Sequence, residues 1–141
     1  MSEEHLVQLD EDDCWRLLAT QPVGRIGLSR PDAPLILPVN YALVGHTIVF
    51  RTRVHAAPLP SEGEHVAFEV DGLDPRFHDG WSVLVTGIAS HVVVPIDADA
   101  AVETWIGDDR PVLVAIDPTS ISGRLLLRIE IGWAQDVRGY L

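Results

Sequence analysis

The sequence predicts a mainly β domain with two or three short helices, built as a closed or partly closed antiparallel barrel. Three observations predict it. Seven segments rich in β-branched and aromatic residues follow one another between Val23 and Trp133, separated by Pro, Gly and Asp turn signals. Helical spacing extends beyond a turn in only two stretches, after Asp10 and from Asp97 to Ile106. Strand and helix do not alternate regularly, which argues against a doubly wound parallel sheet. At 141 residues and 47% apolar content the chain can bury a real core. Without repeats or a linker, residues 1–141 read as a single domain.

Charge narrows the partners. The formal charge is −11 and all ten basic residues are arginine. Such a chain repels nucleic acid and anionic membranes, so no nucleic-acid partner is expected, and any anionic ligand needs a local pocket. Cys14 stands alone, which excludes an intrachain disulfide and a cysteine zinc site. The start, Met1-Ser2-Glu3-Glu4, is acidic with no apolar run behind it, unlike a secretory signal. No stretch approaches the roughly 20 apolar residues of a membrane span. The expectation is a soluble cytoplasmic protein.

Each element follows from local pattern. Asp10-Glu11-Asp12-Asp13 place acids where a helix dipole favours them. Cys14, Leu17, Leu18 and Gln21 then recur at helical spacing until Pro22 and Gly24. This helix should pack on a sheet with Trp15 at its margin. Val23–Ser29 and Leu35–Leu43 read as strands around the turn 30–34. Pro38 lacks a ladder donor, so the second strand belongs at a sheet edge or bulge. Val44-Gly45-His46 turns into the strand 47–53. There Ile48, Phe50 and Thr52 share one face and Val49, Arg51 and Arg53 the other. Prolines 58 and 60 with Gly63 break the next stretch. Glu64–Val70 alternates well, and Asp71-Gly72-Leu73-Asp74-Pro75 signals a turn into a polar loop. Gly80–Val94 is apolar on both faces, as in a strand covered on both sides or bent, with Gly87 as the bend. Val112–Ile116 and Arg124–Trp133 complete the strands.

The chemistry is concentrated at the end of strand 47–53. Arg51 and Arg53 follow an apolar run, and a guanidinium fork matches phosphate or carboxylate. The bland alternative is a strand end whose arginines pair with surface acids. Pro38-Val39-Asn40 offers an edge without a donor at one point and with both donor and acceptor at another, able to read a flat heterocycle. The alternative is an ordinary edge bulge. His55 and His78 could face a pocket or solvent. The six histidines form no zinc pattern, no GxSxG is present, and no phosphate-binding loop or dinucleotide fingerprint occurs. Glu69 and Asp71 could do acid–base work or form a strand's polar face. No catalytic residue is singled out, and no metal is expected.

Val23-Gly24-Arg25-Ile26-Gly27, Pro38-Val39-Asn40-Tyr41, Ile48-Val49-Phe50-Arg51-Thr52, Val66-Ala67-Phe68-Glu69-Val70-Asp71, Gly80-Trp81-Ser82-Val83-Leu84-Val85-Thr86-Gly87 and Ile121-Ser122-Gly123-Arg124 occur in a familiar order. The chain resembles the pyridoxamine 5′-phosphate oxidase-like family, which has the FMN-binding split-barrel fold, over nearly its whole length. The resemblance implies a homodimer with two FMN sites at the subunit interface. It sets Pro38, Val39 and Asn40 against the isoalloxazine ring and lets Phe50, Arg51 and Thr52 hold ring and phosphate. Trp81 and Ser82 would approach from a neighbouring strand, with Arg124 near the same interface. The family usually follows its Arg-Thr with a small-residue turn and a phosphate-holding lysine. Here that turn reads Arg53-Val54-His55-Ala56-Ala57-Pro58, and Arg53 or His55 would have to substitute.

The implied function is a flavin-dependent oxidoreductase acting on a small molecule. The alternative, from another class, is a non-catalytic flavin-, F420- or haem-binding protein, or a homologue without a cofactor. Relatives with this fold use F420 or bind haem, so the fold does not fix the ligand.

Overall fold

The computed structural model describes residues 2–52, 60–76, 79–92 and 112–130. Within them lie β1 (Ser2–Leu9), α1 (Glu11–Leu18), β2 (Val23–Leu28), β3 (Leu35–Asn40), β4 (Ala42–Val44), β5 (Thr47–Thr52), β6 (His65–Asp74), β7 (Asp79–Val92) and β8 (Val112–Glu130). The strand order is β3-β2-β6-β7-β8-β5-β4, with β1 also paired to β8 and every pairing antiparallel. β8 serves two neighbours along one edge. Its beginning pairs with β5 (Ile48↔Ile116 to Thr52↔Val112) and its end with β1 (Ser2↔Glu130 to Leu9↔Gly123). β7 occupies the other edge.

Closure follows from connectivity. Only Tyr41 separates β3, at one end of the strand order, from β4, at the other. One residue spans at most ~3.6 Å, so the sheet curls until its ends meet, and β3 touches β5 at that seam. The result is a split antiparallel barrel. Its interior holds the alternate residues Ile26 and Leu28, Ile48 and Phe50, Val66, Phe68 and Val70, Val83, Val85 and Ala89, and Val114 and Ile116. α1 adds Cys14, Trp15 and Leu18. The Asp10 side chain caps that helix, accepting from the Asp13 amide at 2.8 Å. Glu11, Asp12 and Asp13 fill its first turn. Among the described residues no helix is long and apolar enough to cross a membrane.

Several expectations hold. β3, with Pro38, is an edge strand. The register of β7 on β8 shifts between Thr86 and Gly87, so β7 bends where the glycine suggested. The alternation of β5 is visible in two separate clusters, Ile48 and Phe50 in the core and Val49 with Leu113 and Ala115 on the other face.

Others are corrected. β1 was not foreseen; its few apolar residues form a strand because β8 runs on past β5 and offers an unpaired edge. The strand expected over Leu35–Leu43 is divided at Tyr41. The turn expected at Asp71–Pro75 is strand as far as Asp74, because β7 pairs with it down to Asp74↔Asp79. Val112–Ile116 and the strand from Arg124 are one element. Pro118 does not break it, since the register slips from Gly87↔Pro118 to Thr86↔Ser120, a bulge that tolerates a residue without a donor. Trp15 is buried, not marginal, stacked on His46 with ring centroids 4.3 Å apart. The expected helix 97–106, residues 93–94 and residues 131–133 lie outside the described residues.

Two glycines of β2 separate packing from backbone freedom. A methyl at Gly24 would strike the Phe68 ring, which is fully buried and has nowhere to go. A methyl at Gly27 would rest 3.5 Å from Ala67 Cβ. Gly24→Ala is expected to lose about 1–3 kcal/mol of stability by overpacking, and Gly27→Ala to lose little or nothing. Urea unfolding of the two variants checks this; equal stabilities would contradict it.

Candidate functional site

Residues paired across neighbouring strands share a face. Arg51 lies opposite Leu113 and Thr52 opposite Val112, at the end of β5. Arg51 is half-buried on the face away from the core, and the Phe50 ring is buried in the interior opposite Val114. Phe50 can therefore offer a ligand its backbone. Arg53 and His55 lie outside the described residues.

On β3, Pro38 faces outward opposite Arg25, while Val39 packs on the core. Asn40 pairs with Val23 and its Nδ2 donates to the Pro22 carbonyl at 3.4 Å; the same carbonyl accepts from the Tyr41 amide at 3.3 Å. Because β3 meets β5 at the seam, the Pro38–Asn40 edge and the Arg51–Thr52 strand end belong to one neighbourhood.

The remaining candidates stand elsewhere. Ser82 lies between Asp71 on β6 and Arg124 on β8, and this row faces outward. Trp81, one residue away, faces the opposite side with Gly72 and Leu125. From Leu113, beside Arg51, to Arg124 is roughly 35 Å of extended strand at about 3.3 Å per residue. One chain thus brings Ser82 and Arg124 together and sets Arg51 far from Arg124 along β8, while Asn40 lies three strands from Ser82 across β2 and β6.

Between Pro38 and Ser82 the outer face carries Glu69 and Asp71, the two acids that the sequence offered for acid–base work or as a strand's polar face, here joined by Arg25. Arg25 Nη1 lies 3.5 Å from Glu69 Oε1 and 3.6 Å from Asp71 Oδ2. Burial pushes the Glu69 carboxyl above its ordinary range, and so do a hydrogen bond to Asp71 and that residue's charge; Arg25 opposes them. Alternation along β6 puts both carboxyls on one face. Their pairing with Arg25, 44 residues away, has no local signal. Among the described residues no three His, Cys, Asp or Glu side chains gather into a metal site.

With this geometry in view, comparison with known proteins is informative. Residues 10–125 match the family model described as pyridoxamine 5′-phosphate oxidase. An uncharacterised protein of Mycobacterium tuberculosis, Rv0080, is 36% identical over 131 residues, covering 86% of both chains. The structure of an FAD-binding protein from Mycobacterium smegmatis is similar, with a TM-score of 0.68 and 28% identity over 86% of this chain and 98% of that one. A candidate pyridoxamine 5′-phosphate oxidase from Corynebacterium glutamicum superposes with a TM-score of 0.72 and 26% identity, covering 87% and 99% of the two chains. The chain belongs to the pyridoxamine 5′-phosphate oxidase family.

The raised Glu69 carboxyl has a stability consequence. A carboxyl whose folded pKa lies above its unfolded value of about 4.5 favours the folded state below that value and loses the benefit as pH rises through the folded pKa. Glu69→Gln removes this titration. Relative to the variant, wild type is expected to become progressively less stable from about pH 4.5 upward towards neutrality. Thermal unfolding of both proteins across that window checks the sign; a constant difference, or one of opposite slope, would contradict it.

Proposed function

We propose that this chain binds a flavin, with FMN as the first choice, and acts as a homodimeric flavin-dependent oxidoreductase on a small molecule. The observation that carries the reading is the end of β5. A half-buried guanidinium, Arg51, and the Thr52 hydroxyl stand beside the Pro38–Asn40 edge on a chain whose family and FAD-binding M. smegmatis relative point to flavins. The Arg51 guanidinium fits a phosphate; Thr52 follows it at the strand end with its side chain on the other face of β5. A bound flavin would supply hydride or electron transfer, and the chain supplies placement and charge. The Pro38–Asn40 edge would lie against the ring, Arg51 and Thr52 would hold the phosphate end, and Ser82 and Arg124 would belong to the same interface site.

Two facts support the dimer. Arg51 and Arg124 flank opposite ends of the long pairing of β7 with β8, so a site using both draws on two copies. Leu6, Leu73 and Leu84 are exposed on the outer face at 61%, 75% and 46%, apolar surface that a second copy would cover. A second reading, a non-catalytic flavin, F420 or haem binder or a protein without a cofactor, is favoured by the chain's lack of any lysine for the phosphate.

Arg51→Ala tests the proposal. Hydrogen bonds to a charged group contribute roughly 1.5–3 kcal/mol, so the variant is expected to bind FMN about 10- to 150-fold more weakly. Arg30→Ala, which breaks a pair with Glu64 on another part of the surface, is expected to leave affinity unchanged. Fluorescence-quench titrations with FMN, and with FAD and F420 in parallel, provide the comparison, with light scattering on the same samples expected to show a dimer. Equal FMN affinity for wild type and Arg51→Ala rejects the assigned role. Failure of wild type to bind any flavin supports the second reading.

A further inference from the structure

Trp81 and Ser82 face opposite sides of β7, so the indole is turned away from the outer face that carries Arg25, Ser82 and Arg124. It lies over Gly72, where even a methyl group would come within 2.5 Å of the indole Nε1. There the ring forms one wall of a cleft of about 280 Å³ between α1 and the ends of β1, β7 and β8. The other apolar walls are Leu9, Leu17 and Leu125. The polar groups of the cleft come from α1 and the turn after it. Arg16 and Asp13 form an ion pair, and the Thr20 hydroxyl donates its proton to the Leu17 carbonyl at 2.7 Å.

We propose that this cleft is a binding site for an uncharged, planar, two-ring aromatic molecule with polar substituents along one edge. Three features select that class. A cavity of roughly 150 Å³ accommodates one benzene ring, so this volume suits two fused rings and is small for a three-ring isoalloxazine with its ribityl chain. An indole with aliphatic neighbours provides a flat apolar slot, the usual lining of a small-molecule site with few polar groups. The polar groups are mixed in kind. Arg16 only donates and the Asp13 carboxylate only accepts. The Thr20 hydroxyl, its proton directed at the Leu17 carbonyl and one lone pair accepting from Gln21 Nε2 at 3.4 Å, presents its remaining lone pair. A ligand edge carrying a hydroxyl or N–H beside a carbonyl satisfies both kinds, and the neutralised Arg16–Asp13 pair gives no preference for a net charge. Ser82 and Arg124, the nearest residues of the proposed flavin site, face the other side of the sheet from Trp81 and Leu125, so the cleft opens away from that site.

The probe is 2-naphthol, titrated calorimetrically into the full chain with and without an excess of FMN. Saturable binding at one molecule per chain is expected, unaffected by FMN and stronger than that of naphthalene-2-sulfonate. Leu17→Trp, which fills the cleft, is expected to weaken binding about tenfold or more by steric exclusion. Should that variant fail to fold, nuclear magnetic resonance of wild type decides. 2-Naphthol should then shift the Trp81 indole N–H and the Leu9, Leu17 and Leu125 methyl signals before any others. No saturable binding to wild type, full affinity in a folded Leu17→Trp, displacement by FMN, or shifts confined to other parts of the chain would overturn the inference.

Discussion

The hydroxyl of Tyr41 donates a hydrogen bond to the carbonyl of Leu18, and much of the barrel's geometry depends on that contact. Tyr41 is the single residue between the two ends of the strand order, so its position fixes where the curled sheet closes. Its ring is 7% exposed and meets Phe68 edge-on with centroids 5.0 Å apart, which ties the seam to the centre of the core. Its amide reaches the Pro22 carbonyl, and its hydroxyl reaches the end of α1. Burial pushes the phenol well above its ordinary pKa, so it remains a donor at any physiological pH. A helix end, a turn, two sheet edges and the core thus converge on one side chain.

That convergence links fold to function. The seam brings β3 beside β5 and with it the Pro38–Asn40 edge beside Arg51 and Thr52. Neither segment alone suggests more than an irregular edge and a charged strand end. Together they set the Pro38–Asn40 edge and the Arg51 guanidinium in one neighbourhood of the barrel. Alternation on β7 then divides the remaining candidates. Ser82 turns to the outer face with Arg124, whereas Trp81 turns to the cleft beneath α1.

The parts of this arrangement legible in the sequence were those written in local pattern. The two faces of β5 follow from period-2 alternation, the edge position of β3 from Pro38, and the bend of β7 from Gly87. What was not legible depends on partners distant in sequence. β1 exists because the far end of β8 has a free edge. Pro118 sits within a strand because a register slip accommodates it, and β6 outlasts its turn signal because β7 continues to pair with it. At the site, Arg51 stood out as a cation after an apolar run. Glu69 and Asp71 stood out only as two acids on one strand face, and Arg25 did not join them until β2 was laid beside β6. Trp15 was misplaced for the same reason: its stacking partner, His46, comes from the β4–β5 turn.

The central claim is that the Tyr41 hydroxyl clamps the seam, and Tyr41→Phe isolates it by leaving the ring and its packing on Phe68 in place. Losing a buried hydrogen bond with its acceptor left behind costs roughly 1–3 kcal/mol. Urea unfolding of wild type and Tyr41→Phe under identical conditions is therefore expected to show a loss of that size with an unchanged dependence on denaturant. A variant as stable as wild type would contradict the account.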